Sequence, residues 1–83
     1  MHFPVTMGIS EDDKLFLIRL GARIRAVREE IGLKQVELAN LLDIERGSMT
    51  RIEKGSMNLT SLMLRKICRA LKIELEDLFK DMR

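Results

Sequence analysis

The sequence predicts an all-α domain of five helices, and three observations carry that prediction. Apolar residues recur at steps of three or four, while no stretch alternates in the manner of a half-buried strand. Residues that start or stop helices, namely Ser10, Gly32, Gly55 and Thr60, fall at the ends of the periodic stretches. The single proline, Pro4, lies outside all of them.

Residues 1–9 carry no periodic pattern and read as an N-terminal tail, with Met7 a candidate alternative start. Ser10 suits an N-cap, with Asp13 three residues on and Glu11 and Asp12 favouring the positive helix end. Leu17, Leu20, Ile24, Val27 and Ile31 then form one stripe expected to be buried, and Gly32 closes this first helix as a left-handed residue. Leu38, Ala39, Leu41 and Leu42 form the apolar face of a second helix, and Met49 and Ile52 that of a third, which Gly55 ends. Thr60 caps a fourth helix with Leu64, Ile67, Cys68 and Leu71 on its apolar face. A short fifth helix starts near Glu74 and carries Leu75, Leu78 and Phe79. The expected organisation is a tail over 1–9 and one domain over 10–83.

A chain of 83 residues with 46% hydrophobic content can build one modest core. Its formal net charge of +2 is too small to argue for a polyanionic partner by itself. Distribution says more. Arg19, Arg23, Arg25 and Arg28 occur with no acid between them, whereas Glu74, Glu76, Asp77 and Asp81 gather near the end; such a dipole could present one basic face, which spacing decides and total charge does not. The lone Cys68 excludes an intramolecular disulfide and a cysteine-cluster metal site, and its place on an apolar face suits a small core residue. No apolar run approaches membrane-spanning length and no signal-peptide pattern is present, which points to the cytoplasm. An enzyme is not expected, nor a cofactor. The one histidine, His2, is in the tail, no Gly-rich loop follows a strand, and no carboxylates have metal-ligand spacing.

The segment from Lys34 to Gly55 is the most specific. Only Asp43 and Ile44 are left to turn between its two helices, so these must cross at a steep angle, as in a helix-turn-helix. The outward face of the second of them presents Arg46, Gly47, Thr50, Arg51 and Lys54. Cations and donors on a protruding helix suit the base edges and phosphates of a DNA major groove.

With those residues in place, the chain resembles the lambda-repressor/Cro-type, or xenobiotic-response-element type, helix-turn-helix family. The resemblance rests on LGARIRAVREEIGLKQVELANLLD, SMTRIEKG and LRKICRALKIELEDLF at the expected separations, from Leu20 to Phe79 without gaps. It implies a five-helix, lambda-repressor-like domain whose first helix is here extended, with the third helix inserted in DNA. It further implies that Arg46, Gly47, Thr50 and Arg51 face bases, and that Gln35, Ser48, Lys54, Ser56 and Asn58 lie near the sugar-phosphate backbone. Gln35 in this family also braces the recognition helix, and Arg28 and Glu53 match a buried ion pair. The EKGSMNLT segment and the small size resemble restriction-modification controller proteins more weakly.

Several positions depart from the family pattern. Lys34, Glu45 and Glu74 stand where Ser or Thr often caps a helix, and a lost cap costs ~1 kcal/mol. Asp43 and Lys72 stand where glycine is common, although Asp tolerates a left-handed conformation better than most residues. Glu45 also places an anion near the phosphates.

Each candidate also has a plainer reading. Arg46 and Arg51 either read guanine O6 and N7 through their guanidinium forks or are solvated. Thr50 either contacts a base or is simply exposed. Gly47 either lets the backbone approach the groove, or leaves room for a thymine methyl, or has drifted at a position that touches nothing. Leu75, Leu78, Phe79 and Met82 exceed what a short terminal helix needs, so they are expected to form a homodimer interface, to which Leu15, Phe16 and Ile18 could add. No segment remains for an effector domain, so control is expected through concentration or a separate partner. The expected function is a DNA-binding transcriptional regulator acting as a homodimer on a pseudo-palindromic operator. The alternative is a protein-interaction module, such as an antitoxin, using Leu59, Leu62 and Met63.

Overall fold

A computed structural model describes residues 8–80 and 82. The His2 and Pro4 readings, and all of the expected tail but residues 8 and 9, lie outside them. Five helices follow in order: α1 (Glu11–Glu30), α2 (Gln35–Leu41), α3 (Arg46–Lys54), α4 (Ser61–Leu71) and α5 (Leu75–Leu78). There is no strand among the described residues.

Local chemistry sets the helix starts. The Ser10 hydroxyl accepts from the Asp13 amide at 3.1 Å, and the Asp13 carboxylate accepts from the Ser10 amide at 3.1 Å, a complete reciprocal cap. Thr60 caps α4 by accepting from the Met63 amide at 3.0 Å. Where Lys34 and Glu74 replace a hydroxyl, half of the reciprocal arrangement survives. Glu37 accepts from the Lys34 amide at 2.7 Å, and Asp77 from the Glu74 amide at 3.0 Å. The expected loss at those caps is thereby reduced. Only at Glu45 does α3 begin with neither half.

One device ends four of the helices. Gly32, Asp43, Gly55 and Lys72 each adopt a left-handed conformation. After each, an amide reaches back to a carbonyl five residues earlier: Leu33 to Arg28, Ile44 to Ala39, Ser56 to Arg51 and Ile73 to Cys68, all at 3.0 Å. Asp43 and Lys72 are the two non-glycine residues held there, at φ 56° and 60°. The backbone hydrogen bond thus overrides the preference of a side chain for other conformations.

The helices enclose one core. Its largest fully buried members are Leu20 and Ile24 from α1, Leu38 from α2, Met49 and Ile52 from α3, Ile67 and Leu71 from α4, and Leu78 from α5. α1 lies against α3 and α5, α2 against α3, and α4 against α5. Two glycines let α1 and α3 touch through their backbones. A Cβ at Gly21 would collide with the carbonyl oxygens of Ile52 and Glu53, and one at Gly55 with the backbone of Leu17 and Ile18. Cys68 is buried, and burial, assisted by Glu74 and Asp77, pushes its thiol above the ordinary value.

Several expectations are corrected. Ile31 is exposed, because α1 stops at Glu30 and Gly32 reverses the chain, so Leu33 packs on the core instead. Leu41 is 62% exposed: with Leu38, Ala39 and Leu42 turned inward, position 41 falls on the outer side of α2. Leu78 is 0% exposed, so it belongs to the protomer's own core and cannot meet a partner. Phe79 and Met82 also pack partly on that core, whereas Leu75 remains 48% exposed. Phe16 does not stand alone on the surface; its ring stacks on Phe79 with centroids 6.1 Å apart and tilted by 14°. Leu59 and Met63 lie half-buried against the core, leaving only Leu62 exposed of the three residues expected to serve a protein partner.

The four arginines of α1 do not form one basic face. Arg23 donates to the Asp77 carbonyl at 3.2 Å, tying α1 to α5, and Arg28 is buried. Arg25 pairs loosely with Glu29 at 3.4 Å, and Arg19 is exposed.

Candidate nucleic-acid interface

α2 and α3 are joined by Leu42–Glu45, with Asp43 taking the corner, and α3 projects its outer face into solvent. Arg46, Gly47 and Arg51 are exposed along that face. Ser48 is half-buried and accepts from the Arg51 guanidinium at 3.3 Å, an exposed contact that leaves the fork's remaining donors open. Lys54, Ser56 and Asn58 are exposed at the end of α3 and in the loop after it. The Ser56 hydroxyl donates to the Arg51 carbonyl at 3.3 Å, which closes the end of the helix.

Behind this face lies a hydrogen-bonded chain drawn from three helices. Arg28 of α1 donates from Nε and Nη2 to the two carboxylate oxygens of Glu53 in α3, at 2.6 and 3.1 Å. The pair is 7% and 8% exposed. Arg28 also donates to the Leu33 carbonyl at 2.7 Å, which fixes the loop before α2. Hydrogen bonding to Glu53 raises the guanidinium above its ordinary value against the opposing effect of burial, with the charges of Glu53 and Glu29 helping. Gln35 of α2 then donates from Nε2 to Glu53 at 3.1 Å and accepts from the Thr50 hydroxyl at 3.0 Å. The amide therefore bridges two residues one turn apart on α3 and locks the angle between the helices. The Thr50 hydroxyl also lies 3.1 Å from the Arg46 carbonyl. Expected to face bases, Thr50 has its hydroxyl proton committed inward. Its bond to Gln35 spans 15 residues, so no local pattern in the sequence reveals it.

Gly47 has nothing within 4 Å of where its Cβ would be. Its φ is not in the left-handed region, so the fold places no demand for glycine there. Gly47→Ala should therefore raise stability by ~1 kcal/mol through helix propensity, read as a higher melting temperature. The same variant separates the readings of this position. Weaker DNA binding with higher melting means that a groove closes on the backbone at Gly47; unchanged binding means that the position touches nothing.

A tight bihelical corner, a protruding cationic helix and a buried brace behind it define a helix-turn-helix domain. Residues 21–81 match the family model described as "Helix-turn-helix domain", and the chain belongs to that family, whose members are transcriptional regulators and not enzymes. The chain is 37% identical over 57 residues to an uncharacterized HTH-type transcriptional regulator of Archaeoglobus fulgidus, covering 69% of this chain and 81% of that one. It is 35% identical over 65 residues to the control protein C.MunI of a Mycoplasma species, covering 77% of this chain and 88% of the relative. The fold is similar to the restriction-modification controller protein C.AhdI from Aeromonas hydrophila, with a TM-score of 0.73 at 35% identity, over 76% of this chain and 96% of the other. No described helix is long and apolar enough to cross a membrane, and no described His, Cys, Asp and Glu residues cluster as metal ligands.

Proposed function

We propose that the domain over residues 10–83 binds double-stranded DNA sequence-specifically in the cytoplasm, as a homodimer that regulates transcription. The observation that carries the reading is the division of labour on α3. Its inner residues Met49, Ile52 and Glu53 are buried and braced, while Arg46, Gly47 and Arg51 face outward with no acidic residue among them. Arg46 and Arg51 read base edges, and Gln35, Ser48, Lys54, Ser56 and Asn58 hold the backbone and set the register. In a dimer, two α3 helices enter successive major grooves about 34 Å apart. Likeness to two controller proteins supports regulation by the domain itself. The competing antitoxin-like module has less support, since Leu59 and Met63 are occupied by the core.

Dimerisation through the C-terminal region then falls to Leu75, with the outer edges of Phe79 and Met82. Sedimentation that shows only monomer at micromolar concentration, with and without DNA, overturns the dimer.

Selection from random duplexes tests the function. It should return a two-fold symmetric site with half-sites about one helical turn apart; recovery of random sequence overturns the regulator reading. Arg51→Ala should lose ~1–3 kcal/mol of discrimination at one base pair per half-site. Lys54→Ala should weaken all sequences alike and lower the salt slope by ~0.9 per phosphate.

A further inference from the structure

We propose that Arg25, a residue outside the helix-turn-helix, is a phosphate-binding residue that completes a seat for one DNA backbone phosphate with Gln35 and Lys54. The inference rests on the DNA-binding reading above and adds a contact from α1 to it.

A polar cavity of about 310 Å³ opens between α1, α2 and α3, lined by Arg25, Arg28, Gln35, Thr50, Glu53 and Lys54. The space is many times what one water needs and admits a phosphate group. The floor of this cavity is chemically spent except for the second amide hydrogen of Gln35, whose other hydrogen goes to Glu53. Arg28 and Glu53 cancel each other's charge, and Gln35 and Thr50 are hydrogen-bonded to one another. The uncommitted charge lies at the rim, in Arg25 and Lys54, and both are positive. Among the described residues Lys54 has no ion-pair partner, and Arg25 has only the exposed Glu29 at 3.4 Å. An exposed pair of that kind is weak, and a phosphate can replace it.

The backbone explains why Arg25 reaches this place. Gly21 lets α1 approach the carbonyls of Ile52 and Glu53. Arg25 lies one turn further along the same side of α1, and its side chain lines the same opening as Lys54. A guanidinium offers a planar fork that matches two phosphate oxygens, which Lys54 cannot do. The Arg25 fork, the Gln35 side chain and the Lys54 ammonium thus converge from three helices on one opening.

The test compares wild type, Arg25→Gln, Arg25→Lys and a control, Arg65→Gln, which removes an exposed arginine of α4 away from this cavity. Equilibrium binding to a selected duplex and a random one is measured over a salt series. Arg25→Gln should lower the log–log salt slope by ~0.9 per protomer, weaken both duplexes by the same factor and leave base preference intact. Arg25→Lys should keep the slope, and Arg65→Gln should match wild type. All four should melt within a degree or two of each other, because the side chain is exposed. An Arg25→Gln slope equal to that of Arg65→Gln overturns the proposal while leaving DNA binding standing. Wild-type protein that binds no duplex overturns the DNA reading and this seat with it. A parallel titration with inorganic phosphate, followed at the Arg25 side-chain NH resonance, separates the two sources of the anion. Saturation at low millimolar phosphate together with an unchanged DNA slope assigns the site to a free anion and overturns the duplex phosphate.

Discussion

Glu53→Ala will lower the melting temperature and the DNA affinity together. The substitution strands the Arg28 guanidinium inside the protein, and removing one side of a buried pair costs ~3–5 kcal/mol. A domain of 83 residues has a total stability of only roughly 4–12 kcal/mol. At ~4–8 °C per kcal/mol, the expected drop is roughly 12 °C or more, measured by thermal denaturation followed by circular dichroism. DNA affinity falls through a second route, because Gln35 donates to the same carboxylate and loses one of its two anchors. A double variant, Arg28→Met with Glu53→Leu, separates the two effects. Replacing both partners with apolar side chains removes the stranded charge, so much of the melting temperature should return. DNA affinity should not, since neither side chain can hold Gln35. Wild-type melting in Glu53→Ala would remove the pair from its structural role.

Gly55→Ala will be the most damaging of the glycine substitutions. Its φ of 76° costs an L-residue ~1–2 kcal/mol. Its new Cβ would also strike the backbone of Ile18, which cannot move aside as a flexible side chain would. Overpacking adds ~1–3 kcal/mol, giving a loss of ~2–5 kcal/mol. Gly32→Ala shares the left-handed backbone, at φ 79°, but has open space around it, so it should lose only ~1–2 kcal/mol. Gly21→Ala has the collision without the unfavourable φ, and recovers ~1 kcal/mol of helix propensity. On these terms it should lose ~0–2 kcal/mol, less than Gly55→Ala. Denaturant titration of the three variants gives the order, and a Gly55→Ala as mild as Gly32→Ala would refute the backbone contact between α1 and the end of α3.

The features legible in the sequence are those decided within one turn of chain. Ser10 with Asp13, Thr60, Gly32 and Gly55 mark their helix ends because the groups they satisfy are three to five residues away. Leu20, Ile24 and Val27 reveal their common face by spacing alone. Features that depend on what lies opposite were hidden. Leu41 and Leu78 have equally apolar side chains, yet one is exposed and the other fully buried, according to whether another helix covers that side. Arg23 and Arg25, two residues apart in one basic run, diverge because Arg23 meets a carbonyl 54 residues away and Arg25 does not. Gly21 carried a signal that could have been used. A glycine inside a long helix costs ~1 kcal/mol, and here it marks where another backbone comes close. Of the candidate interface, the outward residues of α3 were readable from helical geometry, whereas the inward commitment of the Thr50 hydroxyl was not.

The bridge from Thr50 through Gln35 to Glu53 also divides α3 by how freely it can evolve. Arg46, Gly47 and Arg51 hang outside that bridge, so on the proposed DNA-binding reading their replacement can retarget the domain to a new site at little mechanical cost. Thr50 cannot be exchanged on the same terms, since a new side chain there unseats Gln35 before it meets a base. Drift at positions 35 and 50 should therefore be paired across related sequences, while drift at 46, 47 and 51 follows the DNA.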